Sequence, residues 1–274
     1  MSSSHRPAWQ LPPGVSRGTW DYVSTPSIAA EYDSFHGDHP LMRLDQQWIA
    51  ERLNRLPTTT ANDPRVLIDL GCGTGRALLP WNDRGWRTIG IDLSIDMLRQ
   101  AKLKCEGNAN RPDFMQANLA QLDGLSDRIA DVALCLYSTF GMVRGRQNRL
   151  AMLRGVQRSL KEGGLFFLHV HNRGSWLRDP DGIRTTVRSY IRAVCERDSE
   201  FGDRIYAYRG LPSMFLHIFS QRELRRALID AGFTIESMYV LNRTSSGPLR
   251  CPWWFPHLRA GGFMATAVSR SSVT

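Results

Sequence analysis

A short glycine-rich loop, placed between a buried strand and a helix, constrains this chain more than any other feature. The residues from Arg65 to Leu70 form an apolar run that predicts a buried strand, and Gly71, Gly73 and Gly75 follow it. Glycine lets the backbone adopt positive φ and lie close to a ligand. A strand, a glycine turn and a helix in this order are typical of an open α/β sheet that binds a nucleotide-like ligand.

The alternation of strands and helices continues on both sides of this loop. Ser94 is placed to cap a helix that contains 95–101, a helical pattern covers 148–160, and a capping box at Ser220 and Glu223 begins a later helix. The predicted strands are 65–70, 87–92, 114–115, 129–137, 165–171, 233–241 and 262–268. This rhythm predicts an α/β fold with a doubly wound, seven-stranded sheet that helices cover on both faces.

The chain is predicted to hold one domain, preceded by a flexible N-terminal arm over residues 1–20. In residues 183–195, apolar Val187 and Ile191 alternate with arginines, which favours strands. The predicted parts of the domain, 21–274, are a helical cap over 27–56, a ligand-binding core over 62–172, an antiparallel β insertion over 173–219, and a C-terminal helix with strands over 220–270.

Composition bounds the partners and the compartment. The five cysteines form no Cys-x-x-Cys pair, and their odd number favours free thiols in a reducing compartment. There is neither a secretory h-region nor an apolar run long enough to span a bilayer, so we expect a cytoplasmic protein with no membrane partner. The net charge of +9 keeps nucleic acid open as a partner, but no block of basic residues favours it.

The spacing of the glycines separates two classes of ligand. A dinucleotide site requires Gly-x-Gly-x-x-Gly, so that a helix N-terminus can receive a pyrophosphate. Here Arg76 occupies the position of the last glycine. Asp69, just before the loop, would repel a phosphate but would accept a hydrogen bond from an ammonium group. The loop therefore predicts a phosphate-free ligand with an amino-acid arm, and it disfavours a nicotinamide oxidoreductase.

Residues after the next two strands suit a nucleoside. Asp92 closes the second strand, where a carboxylate can accept hydrogen bonds from both ribose hydroxyls. Asn118 follows the third strand and is placed to pair with the adenine edge, and Leu93 and Leu119 are placed to sandwich the ring. The predicted ligand is an adenosine that carries an amino acid.

At these positions the sequence resembles the class I S-adenosylmethionine-dependent methyltransferases. The segment 69–75 looks like their motif I, and 90–98 looks like their second motif. The segments 131–135 and 160–164 look like the family's fourth-strand segment and the turn before its fifth strand, and 219–224 with 231–233 resembles the late helix and strand of the small-molecule branch. The resemblance covers roughly residues 60–268, and it implies a Rossmann-like fold and S-adenosylmethionine as cofactor. One departure is Asn118, where the family often has an acidic residue.

The family also often places an aromatic residue of an N-terminal helix near the cofactor, and Tyr32 matches that feature; packing of the helix is its alternative role. The residues predicted to contact the cofactor are Tyr32, Asp69, Gly71, Cys72, Gly73, Gly75, Asp92, Leu93, Met97, Asn118, Leu119 and Leu136.

Methyl transfer requires a base only where the acceptor starts protonated. His169 and His171 close the fifth strand and point to the same face, so this pair is the best candidate base, although each also fits a structural role. The fourth strand ends in Tyr137 to Phe140, which is not the Asn/Asp-Pro-Pro-aromatic tetrad of enzymes that methylate nucleic-acid amino groups. The histidines lack metal-ligand spacing, so no metal is expected.

The sequence thus predicts a methyltransferase that acts on a small-molecule acceptor. The alternatives are an RNA, DNA or protein methyltransferase, which the basic charge favours, and a protein that binds S-adenosylmethionine without catalysis. The Trp253 to Phe255 cluster fits a lid, an oligomer contact or core packing. The acceptor atom and the oligomeric state stay open.

Overall fold

A seven-stranded sheet forms the centre of the protein, and a two-stranded hairpin lies apart from it. The computed structural model describes residues 7–37, 39–56, 63–107 and 110–270 of the chain. The strands are β1 (Val66–Leu70), β2 (Arg87–Asp92), β3 (Asp113–Gln116), β4 (Ala130–Cys135), β5 (Leu160–His171), β6 (Asp203–Tyr208), β7 (Leu211–His217), β8 (Phe233–Val240) and β9 (Gly262–Ser269).

The strand order of the large sheet is β3-β2-β1-β4-β5-β9-β8, and β6 and β7 pair to form the hairpin. The strands from β3 to β5 run parallel, whereas β9 is antiparallel to both of its neighbours. The order reverses between β1 and β4, which opens a crevice at their carboxyl ends, where doubly wound sheets bind ligands. The predicted α/β class and seven-stranded sheet are confirmed.

Helices cover both faces of the sheet, and the two faces bury separate apolar clusters. Successive residues of one strand belong to different clusters: Leu67 packs toward α4 and α6, whereas Ile68 packs toward α8 and α10. The α-helices are α1 (Arg17–Val23), α2 (Pro26–Ala30), α3 (Tyr32–His36), α4 (Pro40–Leu53), α5 (Leu79–Asn82), α6 (Ile95–Lys104), α7 (Thr139–Met142), α8 (Arg146–Ser159), α9 (Gly182–Cys195), α10 (Gln221–Asp230) and α11 (Pro256–Arg259).

The N-terminal segment differs from the expected flexible arm. Residues 1–6 lie outside the described part of the chain, but Arg17–Val23 forms α1. Ser16 caps this helix by accepting a hydrogen bond from the Thr19 amide at 3.0 Å. A Cβ on Gly18 would lie 1.7 Å from the Ser213 carbonyl oxygen, so α1 contacts the backbone of β7 directly.

The predicted β insertion is correct for the hairpin and wrong for residues 183–195. A short 3-10 helix, Arg173–Arg178, leads into α9, and only then does the chain form β6 and β7. Val187 and Ile191 satisfy a helical period as well as an alternating one, so the pattern did not separate the two. No neighbouring strand pairs with this segment in the described chain, and a helix satisfies its backbone groups internally.

The helix after the glycine loop does not begin at the loop itself, although the sequence indicated that it would. It starts only at Leu79, and residues 75–78 form a tight turn, in which the Leu78 amide donates to the Gly75 carbonyl at 3.1 Å. Pro80 explains the late start, because in a helix that began at the loop its ring would meet the carbonyl of Arg76. Within the described ranges, no helix combines the length and apolar character needed to cross a bilayer.

Candidate active site

The glycine loop is held against the end of β2 by its own backbone. The amides of Gly71 and Cys72 both donate to the Ile91 carbonyl, at 2.7 and 3.0 Å. Gly71, Gly73 and Gly75 all have positive φ, of 76°, 53° and 82°. A Cβ on Gly71 would lie 2.3 Å from the Thr139 Cγ2 atom, so this position also requires the absence of a side chain.

Asp92 links the loop to the next strand. Its carboxylate accepts hydrogen bonds from the Gly73 amide at 2.9 Å and from the Ser94 amide at 2.8 Å. Burial raises the pKa of this carboxyl, and the bonds from Ser94 and Gly73 oppose that rise. A carboxylate has about four lone-pair sites, so these two bonds leave capacity for ribose hydroxyls.

Asp69 is buried at the end of β1 and lines the same cavity. Burial raises the pKa of its carboxyl to about 7, and the Arg76 charge opposes that rise. A buried carboxylate of this kind is stabilised by a cation, which is the partner that the sequence predicted for it.

We expect the affinity for S-adenosylmethionine to depend on pH through Asp69. Below pH 7 the carboxyl takes up a proton, because its pKa is raised, and the protonated acid attracts an ammonium group less. The dissociation constant from calorimetry should rise between pH 8 and pH 6, approaching tenfold per unit below the pKa. Asp69→Asn is the control, because the ligand's own titration is the same in both proteins. Equal pH slopes in both would contradict the role of Asp69.

A cavity of about 320 Å³ runs from the glycine loop to the hairpin. It brings together the residues that the sequence assigned to the cofactor, with the exception of Gly75. Gly75 instead faces α6, where its Cβ position lies 3.4 Å from the Ala101 Cβ atom. The predicted cofactor residues that line the cavity are Tyr32, Asp69, Gly71, Cys72, Gly73, Asp92, Leu93, Met97, Asn118, Leu119 and Leu136. Their contacts with the cofactor stay predictions.

Asn118 has a partner that the sequence did not predict. Its side-chain amide donates to the Pro13 carbonyl at 2.8 Å and also contacts Gln121, and its oxygen accepts from the Ala120 amide. The Gly14 carbonyl accepts from the Arg144 amide at 2.7 Å. These bonds hold the N-terminal segment beside the expected adenine position, where Gly14 and Val15 line the cavity.

Arg76 follows the loop and is held by α4. Its guanidinium group donates to both carboxylate oxygens of Asp45, at 3.0 and 2.9 Å, and to the Met42 carbonyl at 3.0 Å. Asp45 is fully buried, and burial raises the pKa of its carboxyl against the effect of Arg76. This bidentate ion pair between Arg76 and Asp45 joins the N-terminal helices to the glycine loop.

The far half of the cavity contains titratable and aromatic side chains. Tyr137 and Ser138 follow β4 with φ of 51° and 66°, which is a strained conformation for residues other than glycine. This turn directs Tyr137 toward His36, whose two ring nitrogens lie 3.3 Å from the Tyr137 hydroxyl and 2.8 Å from the Tyr208 hydroxyl. Burial lowers the pKa of His36 to about 4, so its ring is neutral at pH 7.

The two predicted base residues have different surroundings. His171 lines the cavity, and burial lowers its pKa to about 4. His169 lies behind it at a ring-centroid distance of 5.2 Å, fully buried, and neither ring nitrogen has a hydrogen-bond partner among the described residues. The cavity therefore brings in His171 but not His169, and a catalytic role for either stays a prediction.

A cluster of acidic residues and a histidine lies outside the cavity, around His217. Its ring nitrogens lie 2.7 Å from Asp203 and 2.7 Å from Glu223. Although Glu200, His217 and Glu223 offer ligand atoms within 4.8 Å of one another, Arg149 and Arg173 pair with the two glutamates. These bonds join the hairpin to α8 and α10, and the expectation that the protein holds no metal stays a prediction.

The sequence reasoning missed two groups of cavity residues. One is the N-terminal segment, for which Ser16 followed by an apolar pattern was the available signal. The other is the hairpin, whose tyrosines, methionine and leucine line the far half of the cavity. The missed residues on the N-terminal side and in the hairpin are Gly14, Val15, Thr19, Tyr22, Val23, His36, Met42, Tyr206, Tyr208, Met214 and Leu216.

Comparison with known proteins agrees with this geometry. Residues 67–164 match the family described as a methyltransferase domain. The chain is 33% identical over 157 residues to the cypemycin N-terminal methyltransferase of a Streptomyces species. The aligned segment covers 56% of this chain and 60% of that protein. The chain thus matches about three fifths of the length of this relative, and 57% of the next.

Two solved structures share the fold. A S-adenosylmethionine-dependent methyltransferase of Methanosarcina mazei superposes with a TM-score of 0.63 at 20% identity, over 80% of this chain and 97% of its own. The second is the 1,6-didemethyltoxoflavin-N1-methyltransferase of Burkholderia thailandensis, with 1,6-didemethyltoxoflavin and S-adenosylhomocysteine bound. It superposes with a TM-score of 0.59 at 17% identity, over 95% of this chain and 93% of its own. The predicted cofactor, S-adenosylmethionine, is confirmed as that of the family. Residues 67–164 thus match a methyltransferase domain, and the chain shares its fold with S-adenosylmethionine-dependent methyltransferases.

Proposed function

We propose that the protein transfers the methyl group of S-adenosylmethionine to a small molecule held in the far half of the cavity. The observation that supports this most strongly is the continuity of the cavity. One chamber contains both the glycine loop and a wall of aromatic and apolar side chains from α3 and the hairpin. Small-molecule sites are concave and mostly apolar, with a few polar groups that orient the ligand.

The cover over this chamber favours a small acceptor over a macromolecule. The N-terminal segment lies over one end through Pro13 and Gly14, and the hairpin lies over the other through Tyr206 and Tyr208. A folded RNA or protein would need an open approach to the loop. Two of the three methyltransferases named above support an acceptor nitrogen, since by name one acts on an N-terminus and the other at N1 of 1,6-didemethyltoxoflavin.

The residues of the far wall suit an acceptor that loses a proton during the reaction. When bound, the cofactor supplies an electrophilic methyl group on a sulfonium, and the electron pair of the broken bond stays on sulfur. The neutral His171 ring can accept the acceptor's proton, because that proton becomes acidic as the new bond to carbon forms. Burial raises the pKa of Tyr137 and Tyr208, so these phenols stay protonated and orient the acceptor.

A screen with radiolabelled S-adenosylmethionine tests the proposal. The panel should contain small phenols, heterocyclic amines and short peptides with free N-termini, alongside total RNA. We expect label in one of the small acceptors and none in RNA. Labelled RNA would establish the macromolecular alternative, and cofactor binding without any labelled product would establish the non-catalytic one.

His171→Gln should then lower turnover of the identified acceptor by about a hundredfold, since a positioned base contributes roughly that much or more. Affinity for S-adenosylmethionine should stay within twofold by calorimetry, because the histidine lies at the acceptor end. The matched control is His257→Gln, because His257 is an exposed histidine of α11. This variant should keep full turnover. Equal turnover in the two variants would exclude His171 as the base.

A further inference from the structure

Helix α9 carries an apolar face that no described part of the chain covers. Its exposed apolar residues recur at helical spacing and are between 50% and 72% exposed. We call them the α9 stripe, and they are Ile183, Val187, Tyr190, Ile191 and Val194. Monomeric proteins seldom leave such a contiguous apolar surface open to water, so the stripe indicates an interaction site.

The opposite face of α9 explains why the stripe points outward. Gly182 lies against the backbone of Trp176, where a Cβ would come within 1.8 Å of the carbonyl oxygen. The Ser189 hydroxyl donates to the Asp203 carbonyl at 3.4 Å and accepts from the Gly202 amide at 3.2 Å. The helix thus packs on the protein through small and polar residues, and its apolar side is the free one.

Positive charge borders the stripe. Arg184, Arg188 and Arg192 recur every four residues along one side of α9, and the helix contains no acidic residue. Arg184 and Arg188 make no ion pair with any described residue, whereas Arg192 pairs with Glu196. An apolar stripe beside a row of arginines is the pattern of helices that lie in the interface of an anionic bilayer.

A second exposed apolar group lies in the loop before α11. Trp253, Trp254 and Phe255, which we call the aromatic loop, are 80%, 59% and 62% exposed. Arg259 holds this loop in shape by donating to the carbonyls of Arg250, Cys251 and Trp254. The 3-10 helix at 173–178 joins the two groups, since it packs on α9 through Trp176 and its Gly174 lies against the His257 carbonyl of α11.

We propose that the α9 stripe and the aromatic loop form a docking surface for an anionic lipid bilayer. Tryptophan prefers the bilayer interface, and arginines near an anionic surface strengthen binding by roughly fivefold each. A second copy of the chain fits less well, because residues 243–259 contain three arginines and no acidic residue, so two such faces would repel. The sequence expectation of no membrane partner rested on the lack of a spanning segment, which surface binding does not require.

Co-sedimentation of the full chain with vesicles tests this proposal without any methyl acceptor. We expect binding to vesicles of phosphatidylglycerol and phosphatidylcholine, weaker binding in high salt, and little binding to phosphatidylcholine alone. The triple variant Ile183→Ser, Val187→Ser, Ile191→Ser should lower the partition coefficient at least tenfold. Arg184→Gln with Arg188→Gln should lower it about 25-fold on anionic vesicles only.

Helix α10 supplies matched controls, because its Ile229, Arg225 and Arg226 are also exposed. Ile229→Ser and the double variant Arg225→Gln, Arg226→Gln should bind as the parent does. Trp253→Ser with Trp254→Ser should remove a vesicle-induced blue shift of tryptophan fluorescence, which reports insertion directly. No binding to anionic vesicles, equal losses in the control variants, or a dimer in solution that the triple variant dissociates would each overturn the proposal.

Discussion

Gly73→Arg is expected to abolish detectable binding of S-adenosylmethionine, with a loss of at least a hundredfold in affinity. Gly73 has a φ of 53°, and its Cβ position faces the cavity 3.8 Å from the Tyr32 ring. An arginine would therefore fill the space that the predicted cofactor requires, in addition to about 1 kcal/mol or more of backbone strain. The measurement is titration calorimetry on the purified, folded variant.

Three further variants separate the causes of this loss. Gly163→Arg places the same side chain at another left-handed position, with a φ of 74° and no atom within 4 Å of the Cβ position, and it should bind normally. Gly73→Ala should lower the affinity for S-adenosylmethionine several-fold, because only the backbone strain applies. Asp92→Ala should lower this affinity about tenfold, because the carboxylate's two predicted hydrogen bonds with the ribose hydroxyls are lost. Normal affinity in both Gly73→Arg and Asp92→Ala would refute the assignment of the cofactor site.

Asp45→Ala is expected to lower the free energy of unfolding by about 3 kcal/mol, near the lower end for breaking a buried ion pair. The change leaves the Arg76 guanidinium without its carboxylate partner, although 24% of that side chain is exposed, which moderates the cost. Urea denaturation followed by circular dichroism measures the effect. Cofactor affinity should also fall, because this pair joins α4 to the loop.

The surface pair of Arg52 and Glu236 is the control. Its side chains are 31% and 38% exposed, and Glu236→Ala should cost less than about 1 kcal/mol. The double variant Asp45→Ala, Arg76→Ala should be more stable than Asp45→Ala alone, because no unpaired charge remains buried. If Asp45→Ala and Glu236→Ala destabilise the protein equally, the buried pair has no special role.

Most of the sheet could be predicted because its signals are local. The buried run before Gly71, the capping box at Ser220 and the positions of the seven strands depend on residues close together in sequence. The parallel order then places the ends of β1 and β2 side by side, so Asp69, the glycines and Asp92 were expected to meet at one cavity, as all of them except Gly75 do. Chain connectivity and loop chemistry were sufficient for this part.

Residues 183–195 show where local signals failed. The spacing of Val187 and Ile191 fits a strand and a helix equally, and only the surroundings distinguish them. No strand of the described sheets pairs with this segment, whereas Gly182 and Ser189 give α9 a flat surface on which to pack. The apolar side that sequence reasoning assigned to a strand is instead exposed.

The sequence by itself determined the class of fold, the glycine loop and the acid residues beside it, because those depend on neighbours along the chain. Only the tertiary structure decided which residues complete the cavity. Asn118 donates a hydrogen bond to Pro13, and His36 lies between Tyr137 and Tyr208. The cavity includes His171 but not His169. Such contacts join segments a hundred or more residues apart, and no local pattern encodes them, since they arise only when the helices and the hairpin pack onto the sheet.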